Sequence, residues 1–262
     1  MHPELCWFSN YSDRFVSIGI VPLSHRILDL PYVGKKVRQG FTSRSDFPIK
    51  PSEAGHIYHD YCGFEYKRKT TEDDLDIEKE KRFKGQIAKH LAYTGKRRFL
   101  SKQTANIQRI RLIDKMFDDA YYIHILRDGR AVANSLLNVS WWKDTDIWWL
   151  GIKASHWEKD GKPAIKLCGL HWQRDVMELI DNKYLFEDRL IEIRYEDFIA
   201  DVRGTMDKVI GFCELSQSKS FLETLPKTLP NMNQKWQEQL TAEQKDILQR
   251  TIEPALIQLG YE

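Results

Sequence analysis

The sequence predicts an α/β fold, a parallel sheet flanked by helices. Three observations carry this. Residues 121–126 are an apolar run rich in β-formers that ends at Arg127, and a helical pattern begins after the Asp128–Gly129 turn. Residues 98–117 repeat the order: Phe99 and Leu100 close a short strand, then Ile107, Ile110, Ile113 and Phe117 recur at helical spacing. Residues 189–195 give a third strand, with a helical pattern near 199–213 (Val202, Met206, Val209, Ile210, Cys213). Strands that alternate with helices imply a parallel sheet covered on both faces.

The remaining elements are taken in chain order. Residues 11–30 read as apolar and helix-like, interrupted near Pro22. Residues 31–70 are rich in Gly, Pro, His and aromatics and read as loops. Residues 72–92 are charged and helical, and the cluster Glu72, Asp73, Asp74 suits a helix N-terminus. Thr104 is a plausible N-cap for the helix after Lys102. Residues 139–162 form an aromatic loop. A helix over about 163–183 places Ile165, Cys168, Trp172, Val176 and Leu179 on one face. The last helix opens on Thr241 and Gln244, a capping-box pattern, and buries Leu248, Ile252, Leu256 and Leu259.

The 262 residues read as one domain, 1–262, without repeats or low-complexity tracts. Forty Lys and Arg against 38 Asp and Glu give a net charge of +2, far from the basic excess of a bulk nucleic-acid binder. The four cysteines are widely spaced and form no zinc pattern, so reduced, buried thiols are expected. No apolar run reaches membrane-spanning length and no signal-peptide core is visible in the sequence, so a cytoplasmic or membrane-peripheral protein is the expectation.

Arg127 is the first candidate for chemistry. A strand that delivers an arginine to its carboxyl end, just before a helix N-terminus, makes an anion site: the helix offers unpaired N–H groups and the arginine a forked cation. Ser135, eight positions on, converges with it only if the chain doubles back. The bland alternative is a strand–helix corner with a solvated arginine. Lys102 occupies the matching place in the preceding strand–helix unit, and ligands of open α/β sheets bind along that carboxyl edge. Lys96, Arg97 and Arg98 read instead as a solvated run.

With these residues in view, the chain resembles the sulfotransferases that use 3′-phosphoadenosine 5′-phosphosulfate, in the bacterial branch similar to tyrosylprotein and carbohydrate sulfotransferases. The motifs that carry the resemblance are FLSKQTANIQRI (99–110), IHILRDGRAVANSLL (123–137), LIEIRYEDF (190–198) and NMNQKWQEQLT (231–241), with HPELCWFSNY (2–11) and LGY (259–261). The resemblance implies a P-loop-NTPase-like parallel sheet flanked by helices. It implies that Arg127 and Ser135 grip the 3′-phosphate and that Lys102 stabilises the transferring sulfuryl group. It further implies that Tyr195 lies near the adenine and that Asn231, Asn233 and Lys235 belong to a loop over the nucleotide. The chemistry is in-line transfer to a hydroxyl of a glycan, lipid, phenol or peptide, with no metal.

One family feature is missing. No loop of the type G-x-x-R-S-G-T-T is present, and the chain opens at a segment resembling the family's stretch just beyond the helix that succeeds that loop. The expectation is that a strand–loop–helix segment precedes Met1 and that the first central strand is absent from this sequence. The alternative is a non-catalytic or truncated relative that binds the nucleotide or a glycan without transfer. A P-loop kinase or hydrolase would need a Walker loop, which is not found.

Two regions could receive the acceptor. Residues 140–157 hold Trp141, Trp142, Trp148, Trp149 and Trp157, whose flat faces suit sugars, lipids or phenols or simply pack the loop. Residues 51–61 read as an irregular segment offering Glu53, His56, His59 and Asp60. Where tyrosylprotein relatives carry a catalytic glutamate, this chain has Ser9–Asn10, so the base is sought at Glu53 first and His56 second. A metal site at His56, His59 and Asp60 is the lesser reading. His124 and His171 read as packed histidines.

Overall fold

Helices dominate, and the strands are short. The computed structural model describes the chain except residues 31, 35, 38–40, 42–46 and 262. The described residues form two units, Met1–Glu65 with Asp73–Asn106, and Tyr66–Glu72 with Ile107–Glu262.

The first unit contains β1 (Leu5–Cys6), α1 (Asn10–Arg14), a 3-10 helix (Val21–Asp29), α2 (Gly55–Cys62), α3 (Ile77–Thr94) and β2 (Arg98–Phe99). β1 and β2 pair in parallel, Leu5 opposite Arg98. The side chain of Asp76 accepts from the N–H groups of Glu78 and Lys79 and starts α3, and Gly95 ends it at φ 68°. α3 buries Phe83, Gln86, His90 and Thr94, one helical stripe. Phe83 joins Phe8, Tyr58, Phe64 and Phe99 in an aromatic core, in which Phe8 and Phe99 lie 4.5 Å apart.

Three sequence expectations change here. The acidic cluster at 72–74 forms only a 3-10 turn, and α3 starts three residues later. The apolar stretch 11–30 divides into α1 and the 3-10 helix. Residues 55–62, read as irregular, are helical. Their start signal is not local: Ala54 stands at φ 53°, and the cap comes from α1, where Asp13 Oδ1 accepts from the Ile57 N–H at 3.1 Å. The loop reading of 31–70 also covers residues 31, 35, 38–40 and 42–46, which lie outside the described residues.

After a 3-10 stretch at Thr104–Arg109, the second unit runs through α4 (Ile110–Met116), β3 (Tyr122–Leu126) and α5 (Gly129–Leu137). A hairpin, β4 (Asp146–Ile147) and β5 (Ile152–Lys153), leads to α6 (Ala154–Lys159) and α7 (Ala164–Asn182). Then come β6 (Leu190–Arg194), α8 (Tyr195–Ala200), α9 (Val202–Phe212), α10 (Lys219–Thr224), α11 (Lys235–Gln239) and α12 (Ala242–Gln258). The Thr241–Gln244 capping box forms in full.

α5, α7 and α12 pack around Leu126, Ala133, Cys168, Trp172, Val176, Leu248, Ile252 and Leu256. Gly129 is required by this packing rather than by a turn. A Cβ there would come within 2.5 Å of the Trp172 ring. Four of the five loop tryptophans are at least half-buried; Trp142 is fully buried, and Trp148 Nε1 donates to Asp175 Oδ1 at 2.9 Å. Trp141 alone of the five is exposed.

The single parallel sheet of the sequence reading appears as smaller pieces. Among the described residues there are two parallel pairs, one in each unit, and the antiparallel hairpin. Cys6, Cys62 and Cys168 are buried, while Cys213 is half-buried; burial pushes the Cys6 thiol up to about 11 and the Cys168 thiol up to about 12. No described helix is long and apolar enough to cross a membrane.

Candidate functional site

The register of the β3–β6 pair builds the site of the second unit. Leu126 lies opposite Arg194, so the chain leaves both strands at one edge with Arg127 and Tyr195 next in line. The Arg127 guanidinium lies over the Tyr195 ring, 4.3 Å from its centroid. Tyr195 is the first residue of α8, not the last of the strand as the sequence implied.

Arg127 Nε donates to Asn233 Oδ1 at 2.8 Å. Asn231 Oδ1 accepts from the backbone N–H of Asn233 at 2.8 Å, which fixes the turn before α11. Asn233 is buried, and its Nδ2 donates to Glu196 Oε1. Among the described residues, the two Nη nitrogens of Arg127 have no protein partner. One edge of the guanidinium is therefore committed to the protein, and the fork is available to an anion.

α11 is clamped along α5 in matching order. Asn233 meets Arg127, Trp236 lies under the Arg130 guanidinium at 5.0 Å, and Gln239 Oε1 accepts from Asn134 Nδ2 at 2.7 Å. Asp128 orients the helix entrance, accepting from the Arg130 N–H at 2.8 Å and from its guanidinium. The structure thus brings together Arg127, Tyr195, Asn231 and Asn233. Ser135 is exposed on the second turn of α5, and Lys235 is exposed at the start of α11; neither joins the network.

In the first unit, Lys102 and Glu53 form an ion pair. The other carboxylate oxygen of Glu53 accepts from Thr104 Oγ1 at 3.2 Å. His56 Nδ1 lies 3.0 Å from Asp13 Oδ2, while Asp13 Oδ1 caps α2. Asp13 thus fixes one face of the imidazole and leaves Nε2 open.

A model of the sulfotransferase family matches residues 40–219, more than half of the chain. The chain belongs to the sulfotransferase family. No curated protein and no solved structure matches it. The stretch matched to the sulfotransferase model contains Glu53, His56, Lys102, Arg127, Ser135, Tyr195 and Glu196, and it ends before Asn231, Asn233, Lys235 and Tyr261.

Three residues of these networks escaped the sequence reading. Asp13 gave no signal, because its partners lie more than forty positions away. Glu196 and Tyr261 stood inside quoted motifs, RYED and LGY, without a role. Among the described residues of this sulfotransferase, no group of three His, Cys, Asp or Glu is placed to hold a metal; His59 pairs with its neighbour Asp60. His124 is half-buried with Nδ1 3.0 Å from Glu192 Oε2, and His171 packs on Trp142 at 5.3 Å.

Proposed function

We propose that this sulfotransferase takes its sulfuryl group from 3′-phosphoadenosine 5′-phosphosulfate and delivers it to a hydroxyl of a glycan, lipid, phenol or peptide, with 1–262 serving as one functional domain. The observation that carries the donor assignment is the half-buried Arg127, whose Nη fork is open while Nε is tied to Asn233. A fork held that way binds a dianionic phosphate oxygen pair. Ser135, with an exposed hydroxyl, supplies a further donor to the same 3′-phosphate. Tyr195, already stacked on Arg127, offers its ring near the adenine. Asn231, Asn233 and Lys235 belong to the loop that covers the nucleotide.

The donor supplies an activated sulfuryl group on a phosphate leaving group. The acceptor oxygen forms a bond to sulfur as the bond from sulfur to the 5′-phosphate oxygen breaks, leaving adenosine 3′,5′-bisphosphate. The protein positions the reactants and neutralises charge. Lys102 stabilises the charge that builds on the transferring group and leaving oxygen. Of the two base candidates, His56 has the better geometry: Asp13 orients Nδ1 and Nε2 is open to accept the hydroxyl proton, whereas both Glu53 oxygens are occupied.

Incubation with sulfur-labelled donor and a panel of hydroxyl acceptors tests the reading. Label transfer that depends on Lys102 and Arg127 is expected. Tight binding of adenosine 3′,5′-bisphosphate with no transfer to any acceptor class would favour a non-catalytic binder.

A further inference from the structure

Arg127 is held by one atom of Asn233, and which atom that is depends on Glu196. An asparagine amide has two faces, a carbonyl that accepts and an NH2 that donates. Arg127 Nε can only donate, so it needs the carbonyl. Glu196, as a carboxylate, can only accept, and it takes the NH2. Its second oxygen accepts from the Tyr261 hydroxyl at 3.1 Å. Each member of the chain Tyr261–Glu196–Asn233–Arg127 leaves the next a single orientation.

The far end of this chain is built as firmly as the near end. α12 closes in a Schellman motif: the Gly260 N–H bonds to Ile257 O at 3.1 Å and the Tyr261 N–H to Leu256 O at 2.8 Å, with Gly260 at φ 70°. The Arg194 guanidinium lies over the Tyr261 ring at 5.0 Å and donates to Leu259 O at 2.6 Å. Tyr261 is buried, so its hydroxyl needs the partner that Glu196 provides.

From this we propose that Glu196 is a positioning residue for donor binding: it fixes the amide of Asn233, which fixes Arg127 with its fork turned to the 3′-phosphate, and Tyr261 fixes Glu196. The inference rests on the assignment of Arg127 to that phosphate. It makes a prediction opposite in sign to simple electrostatics. Removing a negative charge near an anion site should tighten anion binding. Glu196→Gln should instead weaken it. A glutamine oxygen accepts more weakly than a carboxylate, and its NH2 can turn toward Asn233, so the Asn233 amide, and with it the tether on Arg127 Nε, is held less firmly.

The test is calorimetry with two probes, adenosine 3′,5′-bisphosphate and adenosine 5′-monophosphate, on the wild type, Glu196→Gln and Tyr261→Phe, with thermal melts of each. A general structural role would weaken both probes alike. The expected result is that Glu196→Gln lowers affinity for the bisphosphate about tenfold, a coupling ordinary for residues in one hydrogen-bond network. Affinity for the monophosphate should change by less than about twofold. Tyr261→Phe, which removes one oxygen and covers the case in which Glu196→Gln fails to fold, should lose about threefold on the bisphosphate alone. A wild type that prefers the bisphosphate, with both variants keeping that preference, overturns the role of Glu196 and leaves the donor assignment standing. A wild type with no preference overturns the donor assignment itself, and this inference with it.

Discussion

Arg127 and Asn233, 106 positions apart, meet through one hydrogen bond from Nε to Oδ1 at 2.8 Å. That bond joins the carboxyl edge of the β3–β6 pair to the segment before α11. It divides the guanidinium into a held edge and an open fork. Asn233→Ala keeps the charge of Arg127 but releases its orientation and leaves a Glu196 oxygen without its donor. The expected loss of affinity for adenosine 3′,5′-bisphosphate is about 1–2 kcal/mol. Calorimetry measures it; unchanged affinity would mean that the fork needs no tether.

Lys102 makes a different prediction, because its role is in the transferring group. Its ion pair with Glu53 is exposed and contributes little to stability. Lys102→Ala should leave the melting temperature nearly unchanged. Turnover should fall by about a hundredfold, with the donor KM moving less than about threefold. Steady-state kinetics gives the split, and a rise in KM alone would make Lys102 a binding residue only.

Gly129 predicts a packing defect. Gly129→Ala drives a methyl group into the Trp172 ring, which is buried between α5 and the rest of the core. Overpacking of this kind costs about 1–3 kcal/mol. Urea unfolding monitored by tryptophan fluorescence should show the midpoint falling. A midpoint at the wild-type value would mean that the ring relaxes freely.

His25 predicts acid sensitivity in the first unit. It is buried beside Trp7, with ring centroids 5.4 Å apart, and neither ring nitrogen has a hydrogen-bond partner among the described residues. Burial first, and then neighbouring His90, lowers its pKa to about 4. The folded value lies below the unfolded one, so protonation favours the unfolded chain. The stabilisation is complete above the unfolded value and is lost as pH falls toward 4. The loss between pH 7 and pH 4 is about 3 kcal/mol for this group. His25→Phe, which keeps an aromatic ring against Trp7, should flatten the fall of melting temperature over that window. An identical slope in the variant would assign the acid transition elsewhere.

Whether an element could be read from the sequence depends on where its signal lies in the chain. β3, α5, α7, β6 and α12 were legible because strand composition, helical spacing and the Thr241–Gln244 box are local. So was the cation at the end of β3. α2 was not, because its cap is Asp13 on another helix and its first residues come after an alanine in a left-handed conformation. The aromatic loop was legible as tryptophan-rich, with acceptor binding and packing both open; the sequence could not choose between them, since burial of Trp142 depends on contacts with α7. The family motifs pointed to Arg127, Asn231, Asn233 and Tyr195, which the structure assembles. They gave no hint that Glu196 and Tyr261 stand behind them, because a carboxylate that orients an amide leaves no spacing rule in sequence.

The most direct test of the account is the affinity of Arg127→Ala for adenosine 3′,5′-bisphosphate relative to adenosine 5′-monophosphate. The account predicts that the wild type strongly prefers the bisphosphate and that the variant loses about 2–4 kcal/mol on that ligand while binding the monophosphate nearly as before. A variant that keeps the full preference would contradict it.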